Sequence, residues 1–400
     1  MTPAEYGKLA IANTIVLFIG ANIFGPLGQG LMRFWSINNE KGNLIEYLLI
    51  SKQMIVYLFS GILLISLLFL TASFFTRLNN WSVIGTIAIL LGALTGWMGV
   101  RTNMLMAARN RQAVALVNSI SAFLKPAVAS ILVLSMTSSA CVVMAGFLVT
   151  TVLIVWSLER YNSKFIRLIC KDPSKKIYDK QNSNEIYKEI INFSWPFFIW
   201  GIFSWVHQSS DRWAIQIYQG SDVLGGYSVI AQLALFPIVL ESGFLSTFFL
   251  PIAYDRGGAL TTLDSIKSAN KIIVTMIVLY LICTAILIGI FSLYHRQIVI
   301  LISNKHYADF SNLLPGLTVA WAFFFLGQML SGFGLLANKP KAYIAPVLVS
   351  GLSAAFFTFY FVSIKGPPGA VIGLCIAGFI YASWFLVIAF RLSSPQSRFL

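Results

Sequence analysis

Eleven long apolar segments alternate with short polar segments along the chain. They lie at residues 9–32, 54–72, 82–107, 113–135, 137–157, 193–217, 223–250, 272–292, 312–335, 343–363 and 368–390. A helix that crosses a bilayer needs roughly 17–25 mostly apolar residues, and each segment is long enough. None shows the alternation, over roughly ten residues, of a membrane β-strand. The pattern therefore predicts an all-α polytopic membrane protein with about 11 transmembrane helices.

The composition agrees with a membrane protein. The chain is 58% hydrophobic and only 10% charged, with a mean hydropathy of +0.79. A soluble domain cannot keep that much apolar surface away from water. Cys141, Cys283 and Cys375 fall in spans and Cys170 in a loop, without the spacing of a metal site. We therefore expect no metal and no cofactor.

Most lysines and arginines outside the predicted spans lie on one side of the membrane. If the loop after the first span is cytoplasmic, 20 of the 28 lysines and arginines are cytoplasmic, five lie on the opposite side, and three lie within spans. Such asymmetry is the positive-inside rule, whereas a net charge of +14 alone would also suit a nucleic-acid-binding protein. It predicts a cytoplasmic C-terminus, an N-terminus on the outer side and no nucleic-acid partner.

A basic segment at 158–192 separates two hydrophobic lobes, 1–157 with five spans and 193–390 with six; residues 391–400 form a cytoplasmic tail. Residues 7–13 (GKLAIAN) resemble 226–232 (GYSVIAQ) at an offset of 219 (226 − 7). Residues 108–113 (ARNRQA) resemble 337–342 (ANKPKA) at an offset of 229 (337 − 108). A parallel two-lobed repeat is typical of transporters, with the site between the lobes.

The repeat also predicts a missing helix. It pairs the span at 9–32 with that at 223–250, so the partner of 193–217 is expected before residue 1. We interpret this as a late-assigned start codon or a truncation. In-frame upstream DNA without an apolar stretch of about 20 residues would contradict it.

Two motifs resemble a known family. Residues 2–7 (TPAEYG), with an apolar run to 28–34 (GQGLMRF), resemble the second helix of polysaccharide flippases. Residues 209–213 (SSDRW), followed by 225–228 (GGYS), resemble their seventh helix and the next loop. Over nearly its whole length the chain resembles the polysaccharide-transport branch of the multidrug/oligosaccharidyl-lipid/polysaccharide (MOP) superfamily, which includes O-antigen (Wzx-type) flippases; the departure is the absent first helix.

The resemblance implies a fold and a function. The family fold is two six-helix lobes, twelve helices in all, that form a V as in MATE transporters. The implied function is alternating-access movement of undecaprenyl-pyrophosphate-linked oligosaccharide, the repeat unit of O-antigen or another surface polysaccharide of the lipopolysaccharide type, across the bacterial inner membrane. The implied partners are that lipid, membrane lipids, a polysaccharide polymerase and a chain-length regulator.

Lys125 is the deepest charge in the N-terminal half. It lies about 18 Å along its helix from Ala113, at about 1.5 Å per residue. Asn118, Ser121 and Lys125 are spaced i, i+3, i+7 and share one face, which we call the Lys125 stripe. A charge at mid-membrane costs about 2.5–3.5 kcal/mol, so it usually faces a partner or a watery cavity. Two interpretations stay open: the stripe lines a substrate cavity, or Lys125 snorkels or fills a helix contact.

Two arginines are further candidates for a diphosphate. Arg101 lies two turns before Arg109 and can reach either a cavity or the inner headgroups. Its guanidinium is suited to bidentate phosphate contacts. Arg33 ends its span and serves either as a topology charge or in first capture of the diphosphate. No Asp or Glu occurs between Glu46 and Glu159, so we expect no buried carboxylate in the N-terminal lobe, which favours an anionic ligand.

The C-terminal half has its own polar groups. Ser204, Gln208 and Asp211 form a stripe with His207 beside it, and Gln208, Asp211 and Arg212 are candidate substrate contacts. Asp211 and Arg212 point about 100° apart on a helix, so they do not simply pair, and an interface or interhelical contact is the default for Asp211. Glu241 is either an interhelical hydrogen-bond partner or, like Asp211, a proton or cation site.

Two other functions stay open. A proton- or sodium-coupled multidrug exporter of the same superfamily is supported by Asp211 and Glu241. A membrane polymerase or glycosyltransferase of the same pathway is disfavoured by short outer loops and by the lack of a nucleophile–base pair or phosphate-binding glycine loop in the sequence. We therefore expect a transporter and not an enzyme.

Overall fold

The structure is a computed structural model and describes residues 1–74, 81–169, 180–257, 263–337 and 339–393. Within these ranges it is helical and contains no strand. The α-helices are α1 (Pro3–Leu17), α2 (Gly25–Glu40), α3 (Leu44–Phe74), α4 (Ser82–Ala107), α5 (Arg111–Ser135), α6 (Ala140–Ile169), α7 (Lys180–Gly257), α8 (Leu263–Ile302), α9 (Leu314–Leu336), α10 (Ile344–Lys365) and α11 (Pro367–Ser393). Short 3₁₀ segments, Lys305–Leu313 and Pro340–Tyr343, precede α9 and α10.

The described residues contain 10 helices that are long and apolar enough to cross a membrane. One of them, Ser183–Leu250, has 68 residues and breaks at Gly220, where φ is 82°. This positive φ is readily adopted by glycine and seldom by other residues. The two arms of α7, 180–219 and 221–257, contain the separate predicted spans 193–217 and 223–250. The prediction of an all-α polytopic membrane protein is therefore confirmed.

The first span is one continuous helix with an irregular centre. A π-helical segment, Phe18–Phe24, joins α1 to α2. Pro26 has no N–H to donate to the carbonyl of Asn22, and a π-bulge is one way in which a helix accommodates such a loss. Gly28 and Gly30 follow, and an added Cβ at Gly28 would lie 2.6 Å from the Asn103 side chain. Gly28 therefore allows α2 to approach α4 closely.

The chain divides into two compact units, Met1–Trp205 and Val206–Leu400. The division falls inside the first arm of α7, whereas the sequence places the start of the second lobe at residue 193. In the first unit, α4 packs against α1, α2, α3 and α6. The ring of Phe24 lies against Gly96 of α4, and the Tyr47 hydroxyl donates to the Leu31 carbonyl at 2.6 Å. A buried apolar core thus joins α2, α3 and α4.

In the second unit, α9, α10 and α11 pack closely. An added Cβ at Gly373 of α11 would lie 2.6 Å from the backbone nitrogen of Thr358 on α10, so glycine allows these two backbones to approach. The ring of Tyr381 stacks on that of Phe324, with centroids 5.1 Å apart, and makes a tilted contact with that of Phe385, with centroids 4.2 Å apart. All three rings are buried, and they join α9 to α11.

The turns after α4 and α9 repeat the same hydrogen bonds. Asn110 N–H donates to the Leu105 carbonyl at 2.9 Å, and Lys339 N–H donates to the Gly334 carbonyl at 2.9 Å. Ala108 and Ala337 likewise donate to Met104 and Phe333, each at 3.0 Å. All four pairs of residues are offset by 229 (339 − 110, 334 − 105, 337 − 108, 333 − 104). The hydrogen bonds therefore support the internal repeat inferred from the sequence at these turns.

Candidate functional site

Lys125 lies in the middle of α5, half-buried and unpaired. Among the residues that the structure describes, it has no hydrogen bond and no ion pair. Helix α5 continues through Pro126 without a break. Removing an ammonium from water without giving it a partner is unfavourable, so an unpaired lysine in a span requires another explanation.

All three residues of the Lys125 stripe lie in the uninterrupted helix α5. Asn118 is exposed and Ser121 is buried, and neither side chain hydrogen-bonds to another described residue. Helix α5 packs mainly against α6, where an added Cβ at Gly146 would lie 2.9 Å from the Cα of Ala129. Much of the rest of α5 is exposed, including Phe123 at 78%. The stripe thus offers an amide, a hydroxyl and an ammonium whose hydrogen-bonding capacity is unused.

Arg101 differs from Lys125 because it is already paired. Its Nε and Nη2 donate to the two carboxylate oxygens of Glu159, at 2.5 and 3.1 Å. The indole of Trp97 donates to the same carboxylate at 2.7 Å. Arg101 is only 4% exposed, so the guanidinium is held within the first unit by α6. Two N–H donors of its guanidinium are therefore already bound to a carboxylate of the same chain.

The expected absence of buried carboxylates from the N-terminal lobe is wrong. The predicted span ends at 157, but α6 continues to Ile169 and brings Glu159 beside Arg101. Glu46 is buried, at 5% exposure, whereas Glu159 is partly exposed, at 31%. Because the hydropathy pattern predicts that the span ends at residue 157, Glu159 falls in the predicted loop. Arg33, in contrast, is an exposed residue of α2 without a partner among the described residues.

Asp211 and Arg212 lie together in the second unit, on the first arm of α7. Asp211 is fully buried, and one of its oxygens accepts from the Tyr227 hydroxyl at 2.7 Å, while the other has no hydrogen bond. The Arg212 guanidinium donates to the Gln208 carbonyl at 2.8 Å and approaches Asp211 only to 3.9 Å. As predicted, Asp211 makes an interhelical contact, here to the second arm of α7, and does not pair directly with its neighbour.

Glu241 lies on the second arm of α7 and contacts α8. One carboxylate oxygen accepts from the Thr284 hydroxyl at 3.1 Å, and the other is buried without a hydrogen bond. Glu241 is therefore an interhelical hydrogen-bond acceptor, and one of its two carboxylate oxygens has no donor. Asp211 and Glu241 have different hydrogen-bond partners, so the structure gives no direct link between the two ion-coupling candidates.

Two polar side chains, His207 and Asn22, are buried, which the sequence did not indicate. His207 is buried, with Nδ1 2.8 Å from the Ser350 hydroxyl and its ring 4.6 Å from that of Phe324. Asn22 in the π-helical segment has a buried side-chain nitrogen without a partner. At the offset of 219, Asn22 corresponds to Glu241 (241 − 22), which also retains an unpartnered buried atom. Comparing the halves position by position would have revealed this correspondence.

Two cavities lie in the first unit, and Lys125 lines neither. One, of about 420 Å³, is lined by α2, α3, α7 and the π-helical segment, and its lining includes Tyr57, Tyr187 and Trp195. The other, of about 530 Å³, lies between α5 and α6. Both are predominantly apolar. Across the described parts of the chain, no group of three or more His, Cys, Asp and Glu side chains is placed to hold a metal.

Comparison with known proteins identifies a family and a fold. The model of the family described as polysaccharide biosynthesis protein matches residues 1–254. No curated protein sequence compared with the chain matches it significantly.

Solved transporters share its architecture. The chain is similar to an inward-facing multidrug resistance MATE family transporter of the MOP superfamily, with a TM-score of 0.73, 14% identity, and coverage of 98% of this chain and 92% of that one. It is also similar to a MOP superfamily transporter from Pyrococcus furiosus described as having a binding pocket of reverse polarity (TM-score 0.65, 12% identity, coverage 98% and 88%). A MATE structure in a bent conformation gives 0.62 at 13% identity, with coverage of 98% and 94%. At these identities the likeness shows the fold.

Proposed function

Because the chain belongs to the polysaccharide biosynthesis protein family and has the fold of MOP superfamily transporters, we propose that it is a flippase for a polyprenyl-diphosphate-linked oligosaccharide. The lipid carries an anionic diphosphate and a hydrophilic glycan, and its tail stays in the membrane. The substrate is the repeat unit of O-antigen or another surface polysaccharide, and it moves by alternating access across the bacterial inner membrane. The charge distribution supports the assignment of the Arg33 and Arg109 side as cytoplasmic.

The unpaired Lys125 carries this proposal. Five charged residues lie inside the predicted spans, all of them described: Arg101, Lys125, Asp211, Arg212 and Glu241. Only Lys125 lacks a partner among the described residues. An ammonium beside an amide and a hydroxyl is suited to a diphosphate and to the hydroxyls of a sugar. Lys125 supplies the charge, and Asn118 and Ser121 supply neutral hydrogen bonds.

The other candidates take lesser roles. Arg101 is neutralised by Glu159 and positions α4 against α6. The exposed Arg33 is available for first capture of the diphosphate at the cytoplasmic surface. Three residues of the second unit contribute to binding of the glycan only if their present hydrogen bonds rearrange during transport: Gln208, Asp211 and Arg212.

A cation-coupled multidrug exporter of the same superfamily is the second candidate. The observation that favours it is the buried, unpartnered oxygen of Glu241. A carboxylate in that position can take up a proton or contribute one ligand to a cation. The same group also serves a flippase that uses an ion gradient, so Glu241 alone does not choose between the two.

The experiment that tests the proposal is deletion of the gene with leaflet-resolved measurement of lipid-linked oligosaccharide. We expect accumulation on the cytoplasmic leaflet, relieved by the wild-type gene and not by Lys125→Glu. A second complementing gene, extended upstream of Met1, tests the predicted additional helix. Unchanged leaflet distribution together with raised sensitivity to cationic drugs would contradict the flippase and favour the exporter.

A further inference from the structure

The cavity between α5 and α6 has one polar end and a long apolar body. Polar side chains of Asn110, Gln112, Ser157 and Tyr161 line one end. Asn110 donates to the Tyr161 hydroxyl at 2.7 Å, which joins the start of α5 to α6 at this end. The body is lined by apolar side chains of both helices, ending at Leu124. Leu116 and Leu153 in these walls are 60% and 54% exposed, so the cavity is an open groove.

Three arginines adjoin the polar end in sequence, although none of them lines the groove itself. Arg109 precedes Asn110, Arg111 begins α5, and Arg160 lies between Ser157 and Tyr161 in sequence. All three are exposed, and none has a carboxylate partner among the described residues; Arg160 lies over the Trp156 ring at 3.8 Å. The N-terminus of α5 adds its own partial positive charge. The polar end of the groove thus lies in a positively charged stretch of the chain, which favours an anion.

The backbone at Arg109 is unusual. Its φ is 60°, the one positive value for a non-glycine residue in the described chain. The residue occupies the left-handed position after a helix end, where glycine or asparagine is normal. An arginine there is conformationally less favourable than a glycine.

From these observations we propose that the α5–α6 groove binds an anionic phospholipid of the cytoplasmic leaflet. The phosphate lies among the three arginines and the first turn of α5, and one acyl chain lies along the groove. The length fits: Asn110 to Leu124 extends about 21 Å along α5, at about 1.5 Å per residue. The hydrocarbon of one leaflet is about 15 Å thick, half of a core of about 30 Å. A polyprenyl chain is much longer than this groove.

Such a lipid has a structural consequence. Helix α5 packs mainly on α6, and the groove runs along this contact over several turns. A lipid in that space supports the helix that carries Lys125 without touching the Lys125 stripe, which lies on another face. This site does not depend on the proposed flippase function.

Native mass spectrometry of the full chain in detergent tests the site, with phosphatidylglycerol and phosphatidylcholine added separately. We expect retained phosphatidylglycerol adducts in the wild type and few phosphatidylcholine adducts. An Arg109→Gly/Arg160→Gln variant should lose phosphatidylglycerol affinity about fivefold per arginine, since a basic residue near an anionic lipid surface contributes about that factor. Glycine suits the backbone at position 109, so the variant should fold with an unchanged or higher melting temperature.

Two controls separate the alternatives. Lys52→Gln/Lys188→Gln removes two exposed lysines outside the groove and should leave the adducts unchanged. Ile120→Trp fills the groove with all charges kept and should reduce adducts in the same way as the arginine variant. Equal retention of both phospholipids, or equal loss in the lysine control, would overturn the proposal. Displacement of phosphatidylglycerol by sub-stoichiometric polyprenyl phosphate would also overturn it and make the groove a substrate site.

Discussion

Lys125 on α5 and Asp211 on α7 are both charged residues inside predicted spans, yet their surroundings are opposite. Asp211 is fully buried and accepts a hydrogen bond from Tyr227, with Arg212 nearby. Lys125 is half-buried on a helix with much exposed surface, and no described residue contacts it by a hydrogen bond or ion pair. The charge of Asp211, which joins the two arms of α7, has a hydrogen-bond partner within the protein. A charge left without a partner, at a cost in the membrane, is the one available to a ligand.

Arg101 sharpens this comparison within the first unit. It lies in a neighbouring helix and has the same sign as Lys125, but Glu159 and Met104 surround its guanidinium. A basic residue in a span is thus insufficient evidence of a binding site. Four substitutions, from the most to the least destabilising, test the distinction.

Tyr227→Phe should have the largest effect on stability. It removes the hydroxyl that satisfies Asp211 and leaves a fully buried carboxylate with only the guanidinium of Arg212 at 3.9 Å. Loss of a hydrogen bond to a buried charge costs about 2–3 kcal/mol. Thermal unfolding in detergent measures it, with the exposed Tyr218→Phe on the same helix as control. Equal melting temperatures for both variants would show that Asp211 does not depend on Tyr227.

Glu159→Gln should destabilise the first unit by about 2 kcal/mol. Arg101 then remains buried without a counter-charge, which in a fully buried pair costs about 3–5 kcal/mol; the partial exposure of Glu159 reduces it. The matched control is Glu185→Gln, at an exposed position of α7. Partial recovery of the melting temperature in an Arg101→Met/Glu159→Leu double variant would support a structural pair. No loss in the single variant would contradict it.

Thr284→Val should cost about 1 kcal/mol, because it removes a neutral donor from Glu241 and leaves the shape unchanged. Thr275→Val on the same helix removes a hydroxyl that bonds only to the Lys271 carbonyl one turn earlier, and serves as control. The difference between the two melting temperatures isolates the contact to Glu241. A larger loss in Thr275→Val would refute this assignment.

Lys125→Met should change stability least, within about 0.5 kcal/mol or in the stabilising direction. No described partner is lost, and an apolar side chain replaces an unpaired charge in a span. The expected combination is a normal melting temperature with lost transport. A fall in melting temperature as large as that of Glu159→Gln would show that Lys125 has a structural role.

The sequence predicted the helices and the stripe well but not the partners of the buried charges. Ten of the eleven predicted spans lie wholly in helices, and the span at 137–157 starts three residues before α6. Asn118, Ser121 and Lys125 share a face because helical periodicity is local. Glu159 was missed because hydropathy falls at the membrane boundary, whereas the hydrogen-bonded helix continues to Ile169. Tyr227 and Thr284 carry no charge and belong to no motif, so only the packing of helices reveals them. The break of α7 at Gly220 falls between the two separately predicted spans.

Leaflet-resolved translocation of a polyprenyl-diphosphate-linked oligosaccharide in proteoliposomes tests the central claim most directly. Wild type, Lys125→Met and Lys125→Glu would be compared at equal amounts of folded protein. The Arg101→Met/Glu159→Leu variant would be the control for a basic residue removed together with its partner. We expect near-complete loss of translocation in both Lys125 variants, with Lys125→Glu the more severe, and substantial activity in the control. Wild-type translocation by folded Lys125→Glu would contradict the role of Lys125 in binding the diphosphate.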